Sequence, residues 1–356
     1  MNYPKTIAVC ISLIGLSLLL YACSDKSTNP TPVPGVYKIA YSLDIGDSER
    51  NNIFTIDPDG TDIVQLTFAS LTSSNSSATW SPDGQYIYYK DFMDETNEII
   101  RMNADDGTHK VNLTNYAGLD RLCDISPDGT KMAFISTRDN TNYNIYVMDL
   151  DSMTATNITS GESFESRQVK FTPDGQQLLY STYNGTNYDL CLETIDGSIK
   201  SVLSNLTYDD TYGTVSPNGQ KIAYVSILDG TQQYEVWVCS ITGTDRTKIS
   251  TSTNDNLEPF WSPNSQKIAY TEMINYDTAN IIVVNADGSD PVYLTDSSSF
   301  KYSPKWSPDG TKIAYISKVG TTSALYIMNS DGSEIIQLIN TFGTGYVHEL
   351  AWSPGL

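Results

Sequence analysis

One turn recurs along this chain at near-constant spacing, and that repeat limits the folds open to it more than any other feature. Ser-Pro-Asp-Gly or a close variant begins at Ser81, Ser126, Thr172, Ser216, Ser262 and Ser307, with a truncated Ser-Pro-Gly-Leu at Ser353. The steps are 45, 46, 44, 46, 45 and 46 residues. Periods of this length mark supersecondary units that stack on their neighbours, because one small sheet cannot bury its own faces. Within the turn, proline presets φ at the second position, Asp or Asn tolerates the third, and Gly supplies positive φ at the fourth. Such a turn joins two antiparallel strands.

The flanking residues complete the unit. An apolar residue precedes each turn: Trp80, Ile125, Phe171, Val215, Trp261, Trp306 and Trp352. An alternating run follows, as in Lys-Ile-Ala-Tyr at Lys221, Lys267 and Lys312. A third strand starts near Ile145, Ile281 and Leu325, and a short fourth ends in Leu-Thr after Ile63, Lys110 and Pro291. Four short strands in ~45 residues is the arithmetic of a propeller blade. The 24 tyrosines suit short strands, whereas long helices need more Ala, Leu, Glu and Lys. A β-sandwich does not repeat at this period, and a β-helix repeats at a shorter one.

Tyr37 to Ser42 match a second strand with no first strand before them, and His348 to Pro354 match a first strand. The expectation is therefore an all-β, seven-bladed β-propeller of four-stranded blades, closed by the C-terminal strand pairing into the first blade.

At the N-terminus, Lys5 is followed by an apolar run from Thr6 to Leu20 and then Leu20-Tyr21-Ala22-Cys23. This is similar to a bacterial lipobox, which implies a signal peptide over 1–22 and lipidation of Cys23. An uncleaved anchor helix is the alternative, although the run is short against the ~20 residues a span needs. Residues 23–35 hold three prolines and read as the lipidated cysteine and a flexible tether, leaving 36–356 for the propeller. Ser24 after the cysteine favours the outer membrane by analogy. Cys123, Cys191 and Cys239 fall within expected strands without a Cys-x-x-Cys motif. They read as buried thiols, with one disulfide left open.

The pattern Trp-Ser-Pro-Asp-Gly, then Ile-Ala-Tyr, then Asn-Ala-Asp-Gly-Ser and Leu-Thr resembles the WD-like repeat of TolB and its relatives. Phe260 to Thr295 and Lys305 to Leu338 carry it most fully, and it covers about 320 residues, a long array by repeat standards. The resemblance implies the propeller but not the α/β domain that precedes the six blades of TolB. It likewise implies the propeller of dipeptidyl-peptidases without their hydrolase domain, and no Gly-x-Ser-x-Gly nucleophile elbow occurs. Seven-bladed oligogalacturonate lyases share the architecture but use a histidine-rich metal site, which His109 and His348 alone cannot supply.

The segments that open the inner strands vary far more than the strands themselves, so function is sought there. Arg121, Arg167, Asp210, Tyr212, Glu258, Tyr302, His348 and Glu349 are the candidate binding residues at the channel mouth. Mutual satisfaction around a wet channel explains them equally well. Asp57-Pro-Asp-Gly-Thr-Asp62 and Asn285 to Asp290 superficially resemble calcium loops, but a hairpin turn accounts for both and neither has the distal glutamate of an EF-hand. No catalytic residue, metal or cofactor is assigned. A net charge of −21 disfavours nucleic acid, whose phosphates it would repel. The expected function is that of a non-catalytic binding or scaffold lipoprotein, a monomer held to the envelope membrane by its lipid and presenting its loops to a protein or glycan. The alternatives are a polysaccharide-active hydrolase or lyase using mouth carboxylates such as Asp210, Glu258 and Glu349, and a small-molecule or cation sensor.

Overall fold

The computed structural model describes residues 37–44, 50–70, 73–93, 96–139, 142–160, 165–204, 208–227, 233–339 and 345–355. The expected signal peptide, Cys23 and the tether lie outside the described residues. Among the described residues no helix is long and apolar enough to cross a membrane.

Strands β1 (Ile39–Asp44), β2 (Asn51–Ile56) and β3 (Val64–Gln65) form a sheet to which the last strand, β28 (Tyr346–Trp352), adds beside β1. The next sheet holds β4 (Ser73–Trp80), β5 (Tyr86–Met93), β6 (Thr96–Asn103) and β7 (Val111–Asn112). It is followed by β8 (Asp120–Ile125), β9 (Lys131–Ser136), β10 (Asn144–Asp149) and β11 (Thr154–Asn157). Then come β12 (Ser166–Phe171), β13 (Gln177–Tyr183), β14 (Tyr188–Thr194) and β15 (Lys200–Val202). The fifth contains β16 (Asp209–Val215), β17 (Lys221–Ile227), β18 (Tyr234–Ser240) and β19 (Thr247–Lys248). One continuous sheet takes the other eight strands. These are β20 (Asp255–Trp261), β21 (Lys267–Met273), β22 (Ala279–Asn285), β23 (Val292–Tyr293), β24 (Phe300–Trp306), β25 (Lys312–Val319), β26 (Thr322–Asn329) and β27 (Ile336–Gln337).

This pairing corrects the expected seven separate four-stranded blades. Five blades, not seven, stand as discrete four-stranded sheets, and β20 to β27 are continuous through the parallel bridge between Ala279 and Phe300. The cause is local: Ala279 N–H donates to Ser299 O at 3.1 Å, which brings the start of β22 onto the start of β24. A similar lone bridge, from Asn97 of β6 to Leu119 just before β8, leaves its sheets separate. Sequence spacing reports the repeat of the chain, whereas sheet continuity depends on single hydrogen bonds at strand ends.

Closure by the C-terminal strand is observed. β28 pairs antiparallel with β1 from Ile39–Trp352 to Asp44–Tyr346. The junction is an opened copy of the repeated hairpin. In an intact copy, Ser81 N–H donates to Tyr86 O at 2.9 Å, Tyr86 N–H donates to Ser81 Oγ at 2.9 Å, and Gly84 closes the turn at φ 70°. At the closure, Ser353 N–H donates to Lys38 O and Lys38 N–H donates to Ser353 Oγ, both at 2.8 Å, across 315 residues of chain. The same two bonds are made without a connecting loop.

Strand alternation sends each sheet's two faces into two different cores. In β21, Ile268 and Tyr270 pack with Val236, Val238 and Trp261, while Ala269 packs with Trp306, Ile313 and Tyr315. The alanine makes room for the next inner strand's aromatic. Ala40, Ala133, Ala223, Ala269 and Ala314 are all fully buried and share clusters with Trp80, Phe171, Trp261, Trp306 and Trp352, respectively. Where the alanine is replaced by Tyr88 or Leu179, the partner shrinks to Ile125 or Val215. Gly213 completes the second exception, since a Cβ there would lie 2.9 Å from Leu190 and 3.0 Å from Leu179. Interiors are close-packed, so such volumes must be matched in pairs.

Three indole N–H groups tie neighbouring inner strands. Trp80, Trp261 and Trp352 donate to Ala351 O, Thr214 O and Lys305 O at 3.1, 3.1 and 3.0 Å. Trp306 Nε1 has no acceptor among the described residues. Trp261→Phe is therefore expected to cost about 1 kcal/mol more than Trp306→Phe in urea unfolding, because only the former strands a carbonyl. Equal losses would show that these indole bonds carry no stability.

Candidate binding site on the inner strands

Strands β4, β8, β12, β16, β20, β24 and β28 each touch the next in that order, and β28 touches β4. They line the axis of the ring. Each carries a β-bulge near its midpoint. The register shifts fall between Ser76 and Thr79, Arg121 and Asp124, Arg167 and Lys170, Thr211 and Thr214, Leu257 and Phe260, and Tyr302 and Lys305. In the closing pair the shift falls opposite Ser42 and Leu43. At these bulges Ser77, Gln168, Tyr212, Glu258 and Ser303 adopt φ of 57°, 54°, 54°, 56° and 53°. The left-handed region costs an L-residue ~1–2 kcal/mol.

Links between adjacent bulges offset part of that cost. Gln168 Oε1 accepts Tyr212 N–H at 2.6 Å. Glu258 accepts Ser303 N–H at 2.6 Å and the Ser303 hydroxyl at 3.2 Å, while Thr271 donates to it at 3.1 Å. Glu349 accepts the Ser77 hydroxyl at 3.4 Å. A bulge turns its side chain out of the strand's alternation. Here it directs unlike groups from rigid strands toward one opening.

Two positions beyond the bulge, a second set of side chains pairs between neighbouring inner strands. Lys170 Nζ lies 3.0 Å from Asp124 Oδ1, and Asp124 Oδ2 accepts Phe171 N–H at 2.8 Å. Asp124's charge raises the Lys170 pKa more than burial lowers it. With 51% of the Lys170 side chain exposed, water screens this pair, which contributes ~0–1 kcal/mol. Lys305 Nζ sits 4.4 Å from the centroid of the Phe260 ring. Burial, with help from the charge of Lys170, lowers Lys305 to about 8, against the opposing pull of Glu258 and Glu349.

The sequence candidates separate into groups. Tyr212, Glu258 and Glu349 belong to the bulge links, and Tyr212 remains 49% exposed. Tyr302 donates to Val347 O at 3.2 Å and to the Tyr346 hydroxyl at 3.4 Å, and burial together with Tyr346 raises its pKa. His348 packs on Tyr346 with ring centroids 4.7 Å apart, and burial lowers its pKa while Glu349 and Asp44 oppose that. Arg121 lies over Tyr143 at 3.8 Å, and Arg167 over Tyr188 at 4.5 Å with Glu165 at 3.1 Å.

Asp210 is fully buried, 3.6 Å from Arg246, so it does not line the mouth. It belongs to a polar layer at the same level in successive sheets, where first-strand and second-strand residues are register partners. Asn75–Asp91, Asp120–Ser136, Ser166–Thr182, Asp210–Ser226, Asn256–Glu272 and Lys301–Ser317 repeat that pairing. Burial raises Asp210 and Asp120, with Arg246 and Arg138 pulling the other way. Asp91 has one oxygen without a hydrogen-bond partner among the described residues, and burial raises it to about 6 against the pull of Lys110. Its folded pKa exceeds the unfolded one, so folding is penalised increasingly as pH rises from about 4 past 6. Asp91→Asn is expected to stabilise the protein by about 1–3 kcal/mol at pH 7.5 and to change little at pH 4. Denaturant titrations at both pH values check this, and destabilisation at pH 7.5 would contradict it.

The calcium-like segments serve as turns. Asp59 Oδ1 accepts Thr61 N–H and hydroxyl at 2.9 and 2.6 Å, and Lys38 engages Asp57 and Asp62 at 2.8 and 2.5 Å. In the second segment, Asp287 accepts from Ser289 in the same way. Among the described residues no group of three or more His, Cys, Asp or Glu side chains is gathered as a metal site. Nor does a disulfide join Cys123, Cys191 and Cys239, which lie at three different inter-sheet cores.

The profile of the TolB beta propeller domain matches residues 28–187 and 181–355, which together span nearly the whole chain. The chain belongs to the TolB beta propeller family. A Tol-Pal system protein TolB from Francisella tularensis is 23% identical over 198 residues, covering 42% of this chain and 44% of that protein. An uncharacterised protein of Agrobacterium fabrum is 30% identical over 101 residues, covering 28% of this chain and 34% of its own length. The chain thus spans less than half of the length of these curated relatives. Among solved structures, TolB from Acinetobacter baumannii superposes with a TM-score of 0.60 at 21% identity, over 89% of this chain and 66% of that one. An oligogalacturonate lyase from Vibrio parahaemolyticus gives 0.61 at 15% identity, over 84% and 85%. At these identities both likenesses show the fold alone.

Within this TolB-like propeller, the residues missed by sequence reasoning are Asp124, Lys170, Phe260 and Lys305. A signal was present. Each stands immediately before the apolar residue that announces the Ser-Pro or Thr-Pro turn, and three of the four are charged. An inner-strand position carrying charge beside a buried aromatic marks a side chain turned toward the channel.

Proposed function

We propose that this protein is a non-catalytic binding module of the bacterial envelope, outside the cytoplasm, whose inner-strand bulges present a recognition surface to a protein or glycan partner. The observation that carries the reading is the bulge set itself. It uses the same left-handed conformation from strand to strand but displays chemically unlike residues, among them exposed Tyr212. Rigid strands suit recognition because little ordering entropy is lost on binding. The TolB relatives are named for the Tol-Pal system, which favours a protein partner. Glu258 uses both carboxylate oxygens on Ser303 and Thr271, which suits a positioning part better than acid–base chemistry.

A photo-crosslinking residue at position 212 tests this in cells. The reading expects a discrete adduct from position 212 and none from position 111 on the outer strand β7, where Val111 is also exposed. Equal labelling at both positions, or none at 212, would contradict it.

Anchoring through Cys23 is part of the same proposal. Mass spectrometry of the membrane-extracted protein should find a mature N-terminus at diacylated Cys23, and Cys23→Ala should leave residues 1–22 attached. A wild-type chain that keeps residues 1–22 would refute the anchor.

A further inference from the structure

The sheet closed by β28 and the sheet that follows it face each other across a core with one polar edge. Ala40 and Ile53 on one side pack with Trp80, Ile87 and Tyr89 on the other. Strand alternation puts Ser42 and Asp44 of β1 and Asn51 of β2 on the same face as Ala40 and Ile53. It turns Asp91 of β5, with its register partner Asn75 of β4, back toward them.

Two hydrogen bonds join the sheets at this level. Asn51 N–H donates to Ser74 Oγ at 3.3 Å, and Asn75 Nδ2 donates to Asn51 O at 3.4 Å. Asp44 is the register partner of Asn51, and such partners have Cβ atoms ~4.5–5.5 Å apart. Ser42, two residues before Asp44, is 1% exposed.

The side-chain atoms gathered here are oxygens. Ser42 Oγ, Asn51 Oδ1 and Asp91 Oδ1 are buried and have no hydrogen-bond partner among the described residues. Buried polar atoms are nearly always satisfied, so three such atoms at one junction call for a shared partner. The charges select its kind. Asp44 brings a carboxylate to the same face, and Glu98 is the register partner of Asp91 on its other side. Like charges directly opposite repel. Glu98 is itself held by the Thr114 hydroxyl and the Tyr116 N–H. Lys110 is exposed, and its charge lowers the Asp91 pKa less than burial raises it. A water molecule satisfies a few polar atoms but supplies no charge.

We propose that this junction is a calcium site, with Asp44, Asp91, Asn51 and Ser42 supplying its protein oxygens. An all-oxygen donor set suits a hard cation. Calcium accepts ~6–8 oxygens in flexible geometry, waters included, whereas magnesium demands a near-octahedral shell. Two carboxylates suit a weak site of the extracellular kind, with Kd ~10⁻⁴–10⁻³ M. The ion ties the sheet that the chain end completes to its neighbour in the ring. This inference goes beyond the partner reading and does not depend on it, so failure of the crosslinking test leaves it standing.

The test is thermal unfolding of the full chain, stripped of metal by a chelator and dialysed, at pH 7.5 and constant ionic strength. Calcium chloride at about 5 mM should raise the wild-type midpoint by about 3 °C or more, because an ion that binds only the folded state stabilises it. Magnesium chloride should give a clearly smaller shift. Asp91→Asn should lose most of the calcium shift, and the stability gain expected of that variant applies to the metal-free protein. Ser42→Ala should need severalfold more calcium for the same shift. Asp59→Asn removes an exposed charge from the Asp57–Asp62 turn and should keep the shift in full. No calcium shift in the wild type, an equal shift with magnesium, or a full shift in Asp91→Asn would overturn the proposal.

Discussion

Deleting Tyr346 to Leu356 is expected to abolish cooperative unfolding. The deletion removes β28, leaves β1 as an open edge, and uncovers Ile39, Tyr41, Ala314 and Ile316 in the core it shares with β25 and β26. Val347 and Leu350 alone represent ~3–6 kcal/mol of burial at ~1.5–3 kcal/mol per large apolar side chain. Lost strand pairing and the lost Trp352 contact add to that. A domain has only ~5–15 kcal/mol of net stability to lose. The Trp80 indole and the Glu349–Ser77 link would go as well, since both depend on β28. Circular dichroism should show a broad, shallow melt in place of a sharp one, and an unchanged sharp transition would refute the closure.

The second large effect concerns volume matching between sheets. Leu179→Ala should cost about 2–5 kcal/mol by leaving a cavity, and Val215→Trp about 1–3 kcal/mol by overpacking against Leu179. The double variant recreates the small-against-aromatic pairing found at Ala223–Trp261 and Ala269–Trp306. It is expected to recover at least about 1 kcal/mol relative to the sum of the single changes, within the range measured for contacting residues. Urea midpoints for the four proteins give the cycle. Strict additivity would show that the paired volumes are coincidental.

These two predictions also show which parts of the structure are legible in the sequence. Strand order, hairpins and closure follow from Ser-Pro-Asp-Gly spacing, because turn chemistry and strand alternation are local. The Lys38–Ser353 junction is readable for the same reason: it reuses the hydrogen bonds of an intact repeat. The continuity of β20 to β27 is not readable, since it hangs on one bridge from Ala279 to Phe300. Asp210 misleads because the alternation that places it inward toward Arg246 is interrupted by a bulge two residues later. Lys170 and Asp124 are 46 positions apart in the chain, and only the side-by-side placing of neighbouring inner strands in the ring pairs them. Tyr212, Glu258 and Glu349 were reachable from loop variability, but their hydrogen-bond links were not, since no sequence pattern encodes a left-handed bulge at a non-glycine residue.

The closed ring is tested most directly by hydrogen exchange across β28. If the last strand is built into the first sheet, amides of Val347 to Trp352 should be protected as strongly as those of β20 and β24, and those of β1 should match them. If β28 amides instead exchange as fast as the loop around Tyr276, which is 92% exposed, the ring is not closed by this strand and the account fails.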